Sequence, residues 1–171
     1  MKVILSEKIS RIVKARAKLQ RILNVKISNR GKEVSITGNA EDEYIAEKVL
    51  DAITFGFSVN HALEISEQDF LYEVISIKDY TTKSDMARIR GRIIGTGGRT
   101  LKTLSDLTDC HIEMNGNEIA FIGPPETIEN AREGIISIIK GSKQANVYCH
   151  LEKMKPSPLI DLGLKEHSQK E

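Results

Sequence analysis

The stretch Arg92-Ile93-Ile94-Gly95-Thr96-Gly97-Gly98-Arg99-Thr100 decides how the rest of the sequence is read. Residues 85–94 before it and 99–108 after it both read as helices. The four residues between them have glycine at each end. Without Cβ atoms there, a second backbone can lie against the turn. The turn opens a helix at Arg99, whose free N–H groups and positive dipole end favour phosphate. Arg92, Arg99 and Lys102 add charge that pairs with phosphates and responds to salt. A plain helix–turn–helix linker would also use glycine, but it does not call for basic residues on both sides. A nucleotide-binding P-loop needs G-x-x-x-x-G-K-[ST] after a strand, and a dinucleotide fingerprint would need glycine where Thr100 stands. Neither fits.

Working outward, residues 71–77 alternate like a strand. Residues 110–114 and 118–122 read as two strands joined by Asn115-Gly116-Asn117, and Asn-Gly is a strong hairpin signal. Pro124-Pro125 suits the first turn of a helix over 125–140, where a missing N–H costs nothing. The order is β-α-α-β-β-α. Residues 145–155 form a short amphipathic helix with Val147, Leu151 and Met154 on one face.

The pattern has a weaker copy 85 residues earlier: Glu33–Glu41 resembles Glu118–Glu126, and Leu19, Ile27 and Ala46 pair with Leu104, Ile112 and Ala131. The first half reads as the same order compressed, with a strand at 2–5, helices within 6–23, strands at 25–28 and 33–37, and a helix at 41–54.

A glycine turn between two consecutive helices, in the order β-α-α-β-β-α, resembles a type I KH domain, and Ile93-Ile94-Gly95-Thr96-Gly97-Gly98 is similar to its I-I-G-x-x-G signature. The wider string, with Gly56-Phe57-Ser58, Tyr72-Glu73-Val74 and Ala145-Asn146-Val147-Tyr148, resembles the archaeal KH-domain small-subunit ribosomal RNA processing proteins. These are counterparts of the eukaryotic assembly factor called the partner of the NOB endonuclease. The resemblance spans about residues 1–155. It implies an α+β chain of two tandem type I KH domains, each a three-stranded antiparallel sheet on three helices. It divides the chain into a degenerate KH domain without G-x-x-G over 1–55, a linker with a possible short helix over 56–69, a KH domain over 70–155 and a mobile tail over 156–171.

The resemblance also implies a site. Single-stranded RNA would be clamped, about four nucleotides at a time, on Gly95, Thr96, Gly97 and Gly98, with Arg92, Arg99 and Lys102 on phosphates. Ile89 and Ile93, Leu101, and Ile112 and Met114 would floor the groove, and the backbone of the strand at 110–114 would read base edges. Few aromatics lie here, so aliphatic contact and hydrogen bonds should outweigh stacking. The implied partners are the 3′ region of small-subunit ribosomal RNA, the alpha subunit of translation initiation factor two and the NOB endonuclease.

The first copy has no glycine before Gly31. The ungapped offset puts Ser10-Arg11-Ile12-Val13 opposite the glycine turn; a gapped alignment with the family puts Lys14-Ala15-Arg16-Ala17 there. Either way the clamp does not transfer. Lys14, Arg16, Lys18 and Arg21 remain as an auxiliary RNA surface, a protein-docking surface, or the charge of a half that only buttresses the other.

The 171 residues carry a formal net charge of only +1, so a nucleic-acid binder must segregate its charge. It does: residues 8–26 hold seven basic residues and no acid, and residues 83–102 hold six against Asp85. Acids crowd 41–51 and 113–133 instead. Cys110 and Cys149 form no C-x-x-C pair, which argues against a disulfide framework or a zinc site, and both read as packing residues. His61, His111, His150 and His167 lack metal-ligand spacing in sequence. No reaction centre is legible. The expectation is a cytoplasmic RNA-binding protein, not an enzyme, with no metal, cofactor or membrane span. A KH-fold protein-interaction scaffold is the rival.

Overall fold

A computed structural model of the protein describes residues 1–6, 8–82 and 84–155. The expected tail at 156–171 lies outside the described residues. The first half runs through β1 (Lys2–Leu5), α1 (Ile9–Leu23), β2 (Lys26–Arg30), β3 (Glu33–Thr37), α2 (Ala40–Phe55) and α3 (Val59–Glu67). The second runs through β4 (Leu71–Ser76), a 3-10 turn at Ile77–Asp79, α4 (Met86–Ile94), the glycine turn, α5 (Arg99–Thr108), β5 (His111–Asn115), β6 (Glu118–Gly123), α6 (Pro125–Lys140) and α7 (Gln144–Met154). Each half has one antiparallel sheet with the hairpin's second strand in the middle: β1-β3-β2 and β4-β6-β5.

The 85-residue repeat is followed residue for residue over its last two thirds. β2 and β5, and α2 and α6, begin and end 85 residues apart, and α1 and α5 end 85 residues apart. Register follows: Ile27 faces Ile36 as Ile112 faces Phe121. Before that point the halves diverge. The second half spends positions 77–98 on α4 and the glycine turn, whereas the first passes from Leu5 to Ile9 directly. The two helices expected within 6–23 are therefore one. α1 is continuous, burying Ile12, Leu19 and Leu23 on one face, and both Ser10–Val13 and Lys14–Ala17 lie inside it. The equivalence obeyed by the elements is the ungapped one. The first half is β-α-β-β-α, so it lacks the first of the two consecutive helices that a complete KH order needs, the counterpart of α4.

Residues 56–69 hold a real helix. Ser58 Oγ accepts from the His61 N–H at 3.2 Å and starts α3, which packs on α2 and β6. This brings the halves together across β6, whose residues alternate between two cores. Ile119 and Phe121 join Ile77, Ile93, Leu104, Ile128 and Ile135 of the second half, while Ala120 and Ile122 join Leu50, Ile53, Phe57 and Leu63 of the first. Three of the four phenylalanines, Phe55, Phe57 and Phe70, lie at this seam with Tyr72. The rings of Phe57 and Tyr72 meet edge to face at 6.3 Å.

Ile122→Ala should cost about 2–5 kcal/mol, as truncation of a fully buried aliphatic side chain does. Urea unfolding followed both by circular dichroism and by tyrosine fluorescence should remain one transition, moved to lower urea. Two transitions, one of them unmoved, would show that the halves do not share a cooperative core.

Candidate nucleic-acid interface

Asp85 Oδ1 accepts from the Arg88 N–H at 3.1 Å and starts α4, which delivers the chain to Gly95. Three glycines then take positive φ: Gly95 at 74°, Gly97 at 61° and Gly98 at 77°. Their roles differ. A Cβ on Gly95 would sit 2.1 Å from Thr100 Oγ1 and 2.8 Å from the Thr100 nitrogen, whereas around Gly97 and Gly98 there is open space. Gly95 is thus required by the protein's own packing. Gly97 and Gly98 leave a clear approach to the N-terminus of α5, where no side chain caps the helix.

The turn is held from behind by a residue that sequence reasoning passed over. Gln144 Nε2, at the start of α7, donates to the Arg92 carbonyl at 2.8 Å and to Thr100 Oγ1 at 3.0 Å, tying α4 and α5 together across the loop. A polar residue before an amphipathic helix carries no signal of such a role. α7 itself buries Val147 and Leu151, but Met154 is 43 % exposed.

The basic residues divide. Arg99 and Lys102 are exposed on α5 and have no partner among the described residues. Arg92 points elsewhere: its guanidinium donates to the Ile138 carbonyl at 3.3 Å and the Ser142 carbonyl at 2.5 Å, serving the negative end of α6. Arg90 holds Asn117 of the hairpin turn at 2.6 Å. Among the expected apolar residues, Leu101 and Met114 are partly exposed and Ile89 and Ile112 keep 6 % of their surface each. Ile93 has none, so it supports the groove from beneath and does not floor it. Its neighbour Ile94, which the sequence reading did not name, is 38 % exposed beside the turn. β5 lies at the sheet edge, next to α5, with its outer backbone groups outside the ladder.

On the first half, Lys14, Arg16, Lys18 and Arg21 are all exposed along α1. Lys18 Nζ donates to Asn60 Oδ1 at 2.7 Å. Lys8 and Arg11 donate to the Phe55 and Gly56 carbonyls, supplying the cations that the last turn of α2 lacks. Arg11 and Lys14 line an open cleft of about 570 Å³ between the halves, with Phe57, Val59, His61 and Glu113. The cysteines differ from each other: Cys110 is buried, and burial pushes its thiol up, but Cys149 is exposed and is not the packing residue expected.

Residues 71–156 match the family model KH_PNO1_2nd, described as a eukaryotic-type KH domain, KH-domain type I. The chain belongs to this KH family. It is similar to a KH domain-containing protein of Methanocaldococcus jannaschii, 30% identical over 63% of this chain and 48% of that one. The pre-rRNA-processing protein PNO1 of Debaryomyces hansenii is 32% identical over 78% of this chain and 54% of its own. The chain thus spans about half the length of these curated relatives. Among solved structures, the a/eIF2alpha–aDim2p–rRNA complex of Pyrococcus horikoshii contains a chain with a TM-score of 0.78 and 26% identity, covering 89% of this chain and 92% of that one.

The two ends of the glycine turn should respond differently to alanine. Gly98→Ala meets only the positive-φ cost of about 1 kcal/mol, whereas Gly95→Ala adds a clash with Thr100 and should cost about 2–3 kcal/mol. Urea denaturation of both variants checks this; equal costs would mean that Thr100 does not press on the turn.

Proposed function

We propose that the protein binds single-stranded RNA through its second half and serves in the maturation of small-subunit ribosomal RNA, at the 3′ region. One observation carries the reading. An uncapped helix N-terminus is approached over two glycines with open space around them, and the same helix packs on the edge strand β5. Phosphates would sit on the α5 N–H groups with Arg99 and Lys102, and bases would lie over Leu101 and Met114 against that edge. Membership of the KH family supports the reading, as does the pre-rRNA-processing role named for the Debaryomyces hansenii relative. Initiation factor two alpha enters as a partner by analogy with the Pyrococcus horikoshii complex. The NOB endonuclease enters by the resemblance of sequence. The protein acts here as a binding module and not as an enzyme. The rival scaffold reading draws on the first half, where α1 runs on unbroken and offers no clamp.

Thr96→Asp combined with Gly97→Asp sets two carboxylates where phosphate would lie. Aspartate tolerates the left-handed conformation of Gly97, so the fold should persist. Affinity for a short RNA should fall at least about tenfold, or about 1.4 kcal/mol. Unchanged binding at unchanged circular dichroism removes the glycine turn from the RNA site. With roughly three to five phosphate contacts, log affinity should fall against log salt with a slope of about −2 to −3.5 for single strands. A flat dependence favours the scaffold.

Neutralising Lys14, Arg16, Lys18 and Arg21 together should spare binding of strands of about four to six nucleotides and weaken binding of longer ones, with a shallower slope. Wild-type affinity and slope on long RNA would instead leave α1 to a protein partner.

A further inference from the structure

β5 faces two ways. Ile112 and Met114 turn toward the second core, while His111 and Glu113 turn toward the first half. On that opposite side, away from the glycine turn, α3 presents His61 and Glu64. They are three residues apart and so share a helix face. The imidazoles of His61 and His111 stack with centroids 3.8 Å apart and planes 7° from parallel, and His111 Nε2 lies 2.7 Å from Glu64 Oε2. One ligand-capable atom from each of the three lies within 4.8 Å of the others, and all three are half-buried.

We propose that His61, Glu64 and His111 form a binding site for one divalent transition-metal ion of the zinc class, which fastens α3 of the first half to β5 of the second. Two imidazole nitrogens and one carboxylate oxygen are the donor set of a zinc site that keeps a fourth position for water. The same donors favour zinc, nickel or copper and suit magnesium poorly. Zinc bonds of about 2.0–2.2 Å put tetrahedral donors about 3.3–3.6 Å from one another. The Glu64–His111 pair is already closer than that, so it opens slightly as the ion takes the place of the proton between them, which is released to solvent, and the closure falls on His61. Parallel rings cannot aim lone pairs at one point, so one ring must turn about its χ2. His61 lines the open cleft and has the space to do so.

The site also explains why sequence spacing hid it: its two histidines are brought together by the docking of the halves, 50 positions apart. It is independent of the RNA reading, because it lies on the other face of the sheet from Ile112 and Met114.

The test uses the full chain, stripped with chelator and titrated calorimetrically with zinc chloride, nickel chloride and magnesium chloride. Zinc and nickel should bind with one equivalent at micromolar strength or better and raise the melting temperature, and magnesium should do neither. His61→Ala and His111→Ala should each weaken zinc at least about tenfold. His150→Ala and Cys149→Ser, at exposed positions of α7, should leave it unchanged. A measurement on the wild-type protein keeps the test sound should His111→Ala unfold. Substoichiometric nickel should broaden the imidazole proton signals of His61 and His111 before those of His150 and His167. Broadening spread evenly over the four histidines, or equal zinc affinity in His61→Ala and wild type, overturns the site and leaves a stacked histidine pair latched by Glu64.

Discussion

Everything in this molecule hangs on β6 having two apolar faces. A strand at the centre of a three-stranded sheet normally shows one face to helices and the other to water. Here Ile119 and Phe121 complete one core while Ala120 and Ile122 complete the other. The second sheet is therefore a wall shared by two rooms. α3 covers its far side, and four of the eight aromatic residues, Phe55, Phe57, Phe70 and Tyr72, are gathered where the halves meet. A near-continuous apolar run, Ile119 to Ile122, is what a strand buried on both faces requires.

The glycine turn depends on that wall through a chain of supports. β6 positions α6, whose C-terminal carbonyls capture Arg92 and so fix the end of α4. α7 packs Val147 and Leu151 on the same core and extends Gln144 to both sides of the turn. The result is a division of labour among residues that look alike in sequence. Arg92 is consumed by structure; Arg99 and Lys102, a few positions on, have no partner among the described residues. Gly95 is obliged by Thr100, whereas Gly97 and Gly98 leave room for something outside the protein. At α1 the same split separates Lys8, just before the helix, and Arg11, which serve the end of α2, from Lys14, Arg16 and Arg21.

Periodicity and turn chemistry located the second half's elements closely, because each is punctuated: Asp85 before α4, glycines after it, Asn-Gly in the hairpin, Pro-Pro before α6. The bounds of α5 and α6 were legible to the residue. What misled was the assumption that a repeat repeats everything. The matching pairs Leu19–Leu104 and Ala46–Ala131 are core positions downstream of the glycine turn, and no sequence similarity spoke for a second helix ahead of them. Direction was harder to read than position. Ile93 and Ile94 are adjacent and equally apolar, yet one is sealed and the other exposed. The use of Arg92, Gln144 and the two histidines is set by contacts 44 or more positions away, which no local window contains.

The bridging of Gln144 has a consequence for anyone wishing to borrow the turn. The smallest portable piece is not the strand–helix–turn–helix that holds the glycines, nor that piece extended through α6. A graft ending at Lys140 would carry every glycine and the free cations, yet its turn would have lost the brace from Gln144 and one of the acceptors for Arg92. The loop would then sample many shapes in place of one. In this chain a glycine turn in the middle of the sequence is calibrated by α7, a helix that begins more than forty positions downstream.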